Sequence, residues 1–144
     1  MSLKTWKEAH YPRPARDFRE VGSVAEAVGH SIKKWEGYLP ENLSLHKVWM
    51  SPAFMGGLTT LTSPMIFDVG GAQGCALCQH CRNNCAVCPV KAVDAQCGQR
   101  GSAYSKVMDA YHGTHPESAE YVAALHGMID VLRKAQSLVE VKDV

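Results

Sequence analysis

Apolar side chains recur at helical spacing in two stretches of the chain. The first stretch follows Ser23 and places four apolar residues on one stripe, namely Val24, Val28, Ile32 and Trp35. Ser23 and Glu26 match a capping box, with the serine at the N-cap and the glutamate at the third helical position. The pattern predicts a helix that begins after Ser23 and ends at Gly37 or Pro40, followed by a short helical turn over residues 40–43.

The second stretch lies in the C-terminal third, where the apolar stripe consists of Val122, Leu125, Ile129 and Leu132, extended to Val139. Thr114 is a suitable N-cap, and Pro116 and Glu117 suit a first helical turn. The stripe is too short for a coiled coil, so we expect a helix that faces the core. Residues 102–112 are expected to form another helix before it.

The rest of the chain lacks helical periodicity. Pro12 and Pro14 predict that residues 1–22 form an extended arm, which aromatic side chains pin to the body of the protein: Trp6, Tyr11 and Phe18. Short apolar runs at residues 48–50 and 65–69 flank a segment rich in Gly, Ser, Thr and Pro, and they predict one or two strands. We therefore expect one α+β or mostly α domain over residues 1–144, helical at 23–46 and 102–139.

Composition excludes several classes of protein. The chain has 144 residues, 46% of them hydrophobic, and a net charge of +1, which is typical of a globular domain with a core. No apolar run approaches the roughly 20 residues that span a bilayer, so no membrane partner is expected. The N-terminal residues contain no apolar segment of the signal-peptide type. These features predict a cytoplasmic protein, in which thiols stay reduced.

All six cysteines fall within residues 74–97, the segment GCALCQHCRNNCAVCPVKAVDAQC. Cys75/Cys78 and Cys85/Cys88 form two Cys-x2-Cys pairs, and each such turn directs two thiolates to one ion at about 2.3 Å. Two pairs complete the tetrahedron of a structural zinc site. We therefore expect zinc on these four residues, although the gap between the pairs is shorter than in zinc ribbons. Either Cys97 or Cys81 could replace one of them.

Other cofactors fit parts of the same spacing. Cys75, Cys78, Cys81 and Cys85 match the bacterial ferredoxin run, but Ala86 stands where that run has proline, and six cysteines are too few for two clusters. One 4Fe-4S cluster on the first three and a later cysteine remains an alternative, as do disulfides or metal-free thiols. Radical SAM enzymes share a three-cysteine spacing, but they are much longer chains.

The chain also resembles a group of small cysteine-rich proteins of bacteriophages and bacteria. The resemblance rests on residues 34–43, KWEGYLPENL, and on CALC at 75–78, CAVCP at 85–89, Cys97 and Tyr104. It covers much of residues 11–104 and implies no activity. Five cysteines recur in the group's pattern, and Cys81 has no counterpart, which favours zinc over a ferredoxin-type cluster.

The expected function is binding rather than catalysis. A site closed by four thiolates leaves no open position for a catalytic water, and the sequence has no HExxH motif, phosphate-binding glycine loop or GxSxG motif. The segment from Cys75 to Lys106 carries four basic residues and one acidic residue. This basic loop, with Arg82, Lys91 and Arg100, predicts a protein partner, with nucleic acid as the alternative. An iron–sulfur electron carrier and a small hydrolase or nuclease are the rival functions.

Overall fold

The computed structural model describes residues 2–51, 56–60, 63–94, 97, 99–113 and 118–142. These residues form α-helices α1 (Leu3–His10), α2 (Val24–Gly37), α3 (Pro40–His46), α4 (Ala76–His80), α5 (Ala103–Gly113) and α6 (Ala119–Lys142). The strands are β1 (Trp49–Met50), β2 (Gly57–Thr60) and β3 (Ser63–Asp68). Short 3-10 turns occupy Ala15–Arg19, Ala72–Gly74, Cys85–Val87 and Pro89–Ala92. The prediction of an α+β or mostly α fold is confirmed.

The core forms where α6 packs against α2 and α5. On α6 the predicted stripe faces inward, with four members buried: Leu125, Ile129, Leu132 and Val139. On α2, Val28, Ile32 and Trp35 are buried as predicted. Burial of these side chains is the main stabilising contribution, at about 1.5–3 kcal/mol each. The predicted N-cap Thr114 and first-turn residues 116 and 117 lie outside the described residues.

Helix α2 begins and ends where the sequence predicts. The Glu26 backbone N–H donates to the Ser23 hydroxyl at 3.1 Å, so Ser23 is the N-cap. The helix ends at Gly37, and α3 follows with Pro40 in its first turn. Its last residue, His46, is buried and lies 2.8 Å from the Thr5 hydroxyl through Nδ1.

The sheet has three antiparallel strands in the order β1-β2-β3, whereas the sequence predicted one or two strands. Met50 pairs with Leu58, and Leu58 pairs with Phe67. The register shifts between Leu58 and Thr60 on β2. Beyond β3, residues 69–74 carry the chain into the cysteine segment.

The N-terminal arm is the main correction to the sequence-based prediction. Residues 3–10 form α1 instead of extended chain. Proline restricts only its own backbone and that of the residue before it, and Pro12 lies beyond the end of the helix, so it does not prevent helix formation. The Ser2 and Thr5 side chains cap the first turn reciprocally. Trp6 is fully buried, and its Nε1 donates to the Gly37 carbonyl at 2.9 Å. The prediction that aromatic side chains pin this segment is confirmed for Trp6 and Phe18.

Candidate metal centre

Short helical turns between β3 and α5 carry the cysteines. Cys75 precedes α4, Cys78 lies within it, and Cys81 follows it. Cys85 begins one 3-10 turn, and Cys88 stands between that turn and the next. All six thiols are half-buried and free of disulfide bonds.

The chain reverses direction after α4 through two residues with positive φ. Arg82 and Asn83 have φ values of 52° and 63°, the left-handed region that non-glycine residues enter rarely. The Asn84 side chain then accepts a hydrogen bond from the Ala86 N–H at 3.1 Å and fixes the start of the next turn. This reversal returns Cys85 and Cys88 toward α4.

Two adjoining cavities bring the thiols together. The first cavity, of about 280 Å³, is lined by five cysteines, namely Cys78, Cys81, Cys85, Cys88 and Cys97. The second, of about 220 Å³, is lined by four, namely Cys75, Cys78, Cys85 and Cys97. Three thiols therefore line both spaces: Cys78, Cys85 and Cys97. The sequence predicts Cys97 only as a possible replacement ligand, whereas the fold places it on both cavities with Cys78.

Thiols are soft ligands that suit zinc, iron–sulfur clusters and copper(I), so the donor set around the cavities fits the expected cofactors chemically. Across the described residues, however, no group of three or more His, Cys, Asp or Glu side chains has the arrangement of a metal site. The ligand set Cys75, Cys78, Cys85 and Cys88 therefore stays a prediction. His80 is half-buried and is not among the described residues that line either cavity.

A buried lysine adjoins the thiols, and sequence reasoning missed it. Lys34 on α2 is only 2% exposed and lines the second cavity. Its Nζ donates to the carbonyl oxygens of Val69 at 2.9 Å and Gly74 at 3.2 Å. No carboxylate in the described part of the chain forms an ion pair with it. A buried ammonium group needs compensating negative charge, and thiolates in the adjoining cavity can supply it.

The pKa values of these groups follow from burial and mutual contact. Burial lowers the pKa of Lys34, while the charges of Cys75 and Cys78 raise it. A hydrogen bond from the Cys78 thiol lowers the pKa of Cys75, and the Lys34 charge lowers it further. Burial raises the pKa of Cys81 to about 11 and that of Cys97 to about 12. Contact with Cys78 and with the Lys34 charge thus favours the thiolate form of Cys75, and binding a metal would release protons from thiols that are still protonated.

Glycine is required immediately before the first cysteine. A β-carbon on Gly74 would collide with the backbone carbonyl of Val69, which itself accepts from Lys34. The Gly74 carbonyl also accepts from the Tyr11 hydroxyl at 3.4 Å. Close backbone approach therefore lets one lysine connect the end of the sheet to the start of the cysteine segment.

Comparison with known proteins adds no relative: no family model, no curated protein and no solved structure matches this chain. The resemblance to phage and bacterial proteins therefore stays a prediction. None of the helices in the described residues has the length and apolar character needed to cross a membrane.

Proposed function

We propose that this chain is a small zinc-binding protein that acts as a protein-interaction module and is not an enzyme. The observation that supports the proposal is the grouping of six free thiols around two adjoining cavities beside the buried ammonium of Lys34. The proposed ligands are Cys75, Cys78, Cys85 and Cys88, with Cys97 and Cys81 as the possible replacements.

Zinc would supply structural cross-linking here. Four thiolates on a divalent ion carry a net charge of −2, and a buried cation beside them lowers the cost of burying that charge. Lys34 is suitably placed because it lines the cavity that Cys75 and Cys78 also line. The chain's own residues would hold the ion and link α4 to the following 3-10 turns.

One 4Fe-4S cluster is the second candidate, and the size of the first cavity favours it. About 280 Å³ lined by five thiols exceeds the space of a single ion. Cys81, which has no part in the paired zinc set, lines this cavity. Of the cluster's ligands, Cys75 lines only the second cavity, so its thiol would have to reach across to the first. A cluster on Cys75, Cys78, Cys81 and a later cysteine would make the protein an electron carrier.

Metal content decides between the two candidates. Protein purified without air is expected to be colourless and to contain about one zinc per chain by elemental analysis, because closed tetrathiolate sites prefer zinc. A brown protein that contains iron and acid-labile sulfide at near-integral ratios would instead favour the 4Fe-4S cluster over zinc. Protein that binds neither after reconstitution would refute both forms of the proposal.

The interaction surface is proposed to be the basic loop. Arg82, Lys91 and Arg100 are all exposed. Arg82 Nη2 donates to the Arg19 carbonyl at 3.0 Å, and Arg19 Nε donates to the Gln79 side chain at 2.7 Å. These bonds anchor part of the loop to the N-terminal region. A rigid, basic surface of this kind suits an acidic protein partner, and a phosphate backbone is the alternative.

Charge reversal tests this surface. The Arg82→Glu/Lys91→Glu double variant is expected to keep its metal and helical circular dichroism, because both side chains are exposed and the substitution removes, within the described residues, only the hydrogen bond from Arg82 to the Arg19 carbonyl. It is expected to lose at least tenfold in affinity for a captured host or phage protein. The matched control is Lys33→Glu/Lys134→Glu, which reverses two exposed charges on α2 and α6. Equal binding by both double variants would remove the loop from consideration. Salt-dependent DNA or RNA binding that only the loop variant loses would identify nucleic acid as the partner.

A further inference from the structure

The second cavity extends beyond the thiols into an apolar chamber. Its other walls include two aromatic rings and two thioethers, those of Trp35, Tyr104, Met108 and Met128. Apart from the thiols, the described lining residues supply three polar side-chain groups, namely the Lys34 ammonium and the hydroxyls of Tyr38 and Tyr104. An apolar chamber with a few convergent polar groups is the usual form of a small-molecule site.

The Tyr38 hydroxyl is a buried polar group that lacks a partner in the described part of the chain. Tyr38 is only 1% exposed, and its hydroxyl has no hydrogen-bond partner among the described residues. Trp6 stacks on its ring at 6.3 Å and Trp35 meets it edge-on at 5.4 Å, so the ring is held firmly. A buried hydroxyl without a partner is destabilising, because it has given up its hydrogen bonds to water. A ligand in the cavity would satisfy it.

Lys34 lies one helical turn before Tyr38, so both side chains leave the same side of the helix. An ammonium group has three N–H donors. Two of them donate to Val69 and Gly74, which leaves one for the cavity that Lys34 lines. Lys34 is also the only cationic side chain among the described residues lining this chamber. An acceptor that carries negative charge would fit both donors.

We propose that this chamber binds a small carboxylic acid with an aromatic or apolar body. The carboxylate accepts from Lys34 Nζ and the Tyr38 hydroxyl, while the body packs on Trp35, Tyr104 and the two methionines. The volume of about 220 Å³ limits the ligand to the size of a single ring with its acid group. Three proposed metal ligands, Cys75, Cys78 and Cys85, line the same chamber, so the acid would lie beside the proposed metal site. The proposal goes beyond the metal-binding function and does not rest on which metal the thiols hold.

Benzoate is the test probe, titrated by calorimetry into the protein as purified. Saturable one-to-one binding is expected, and Tyr38→Phe is expected to weaken it about tenfold or more, since a hydrogen bond to a charged group is lost. The control is Tyr121→Phe, another buried tyrosine, whose hydroxyl donates to Met50 Sδ at 3.3 Å and does not line the chamber. That variant should bind benzoate with unchanged affinity.

Several outcomes would overturn the proposal. They are absence of benzoate binding, equal affinity in Tyr38→Phe, or equal affinity for benzyl alcohol, which lacks the charge. Met108→Trp offers a second variant that fills the chamber, and undiminished benzoate binding by it would also refute the assignment. Metal content is measured on the same samples, so failure of the metal proposal is recognised separately from failure of this one.

Discussion

Serine in place of Cys78 is expected to abolish metal binding, whereas serine in place of Cys81 is expected to leave it almost intact. Cys78 belongs to the first Cys-x2-Cys pair and lines both cavities. Losing one of four thiolates opens the tetrahedron, and structural zinc contributes about 10–16 kcal/mol of apparent binding free energy in zinc-finger peptides. Cys81 lies outside both pairs, and its thiol is directed to the Val87 carbonyl at 3.8 Å.

The two variants form a matched pair, because the same substitution is made three residues apart in one segment. Zinc per chain is measured after gel filtration in the presence of a weak chelator. A Cys81→Ser protein that loses metal as fully as Cys78→Ser would contradict the paired assignment. That result would favour the cluster set, in which Cys81 is a ligand.

Lys34→Met is expected to destabilise the metal-loaded protein by about 1–3 kcal/mol. Methionine retains much of the side-chain volume but leaves the Val69 carbonyl without a donor, at about 1–3 kcal/mol, whereas the Gly74 carbonyl keeps its hydrogen bond from the Tyr11 hydroxyl. Relief of the ammonium's desolvation offsets part of that cost. The loss should be smaller in metal-free protein, because fewer thiolates then need a compensating cation.

Chemical denaturation of both forms measures this difference, with Lys33→Met as the control because Lys33 is the exposed neighbour on the same helix. The control should change stability by less than about 0.5 kcal/mol, as surface substitutions usually do. If Lys34→Met is equally destabilising with and without metal, Lys34 serves only the two carbonyls and not the thiolates.

The periodicity of apolar residues predicted the helices that build the core. It did not predict positions where a residue type lies in an unusual environment, such as a lysine that is buried. The stripes of α2 and α6 were readable because Val28, Leu125 and Leu132 all face inward. The burial of Lys34 was not predicted, because lysine is normally exposed to solvent. Only the fold shows the two carbonyl oxygens that accept hydrogen bonds from its ammonium group. Helix α1 was not predicted, because Pro12 and Pro14 suggested an extended chain. The contact that holds this helix, from Trp6 to the Gly37 carbonyl, joins residues far apart in sequence.

The sequence locates the segment that holds the cysteines but does not predict how the fold arranges them. Local spacing indicated the Cys75/Cys78 and Cys85/Cys88 pairs. Cys97 lines both cavities only through the tertiary fold. The return of Cys85 depends on positive φ at Arg82 and Asn83, and of these two residue types only asparagine is enriched there.

The packing of α4 has a consequence for how the cysteine segment would respond to losing the proposed metal. This helix contacts both α2 and the 3-10 turn Ala15–Arg19, and Asp94 accepts a hydrogen bond from the Ala103 N–H at 2.7 Å. The helical core thereby fixes both ends of the segment, so much of its loop-closure entropy is already lost when the protein folds. In an isolated zinc finger the ion must fold the whole peptide. Here, release of the metal would unfold the cysteine segment as a local cooperative unit, while the surrounding helices would stay folded.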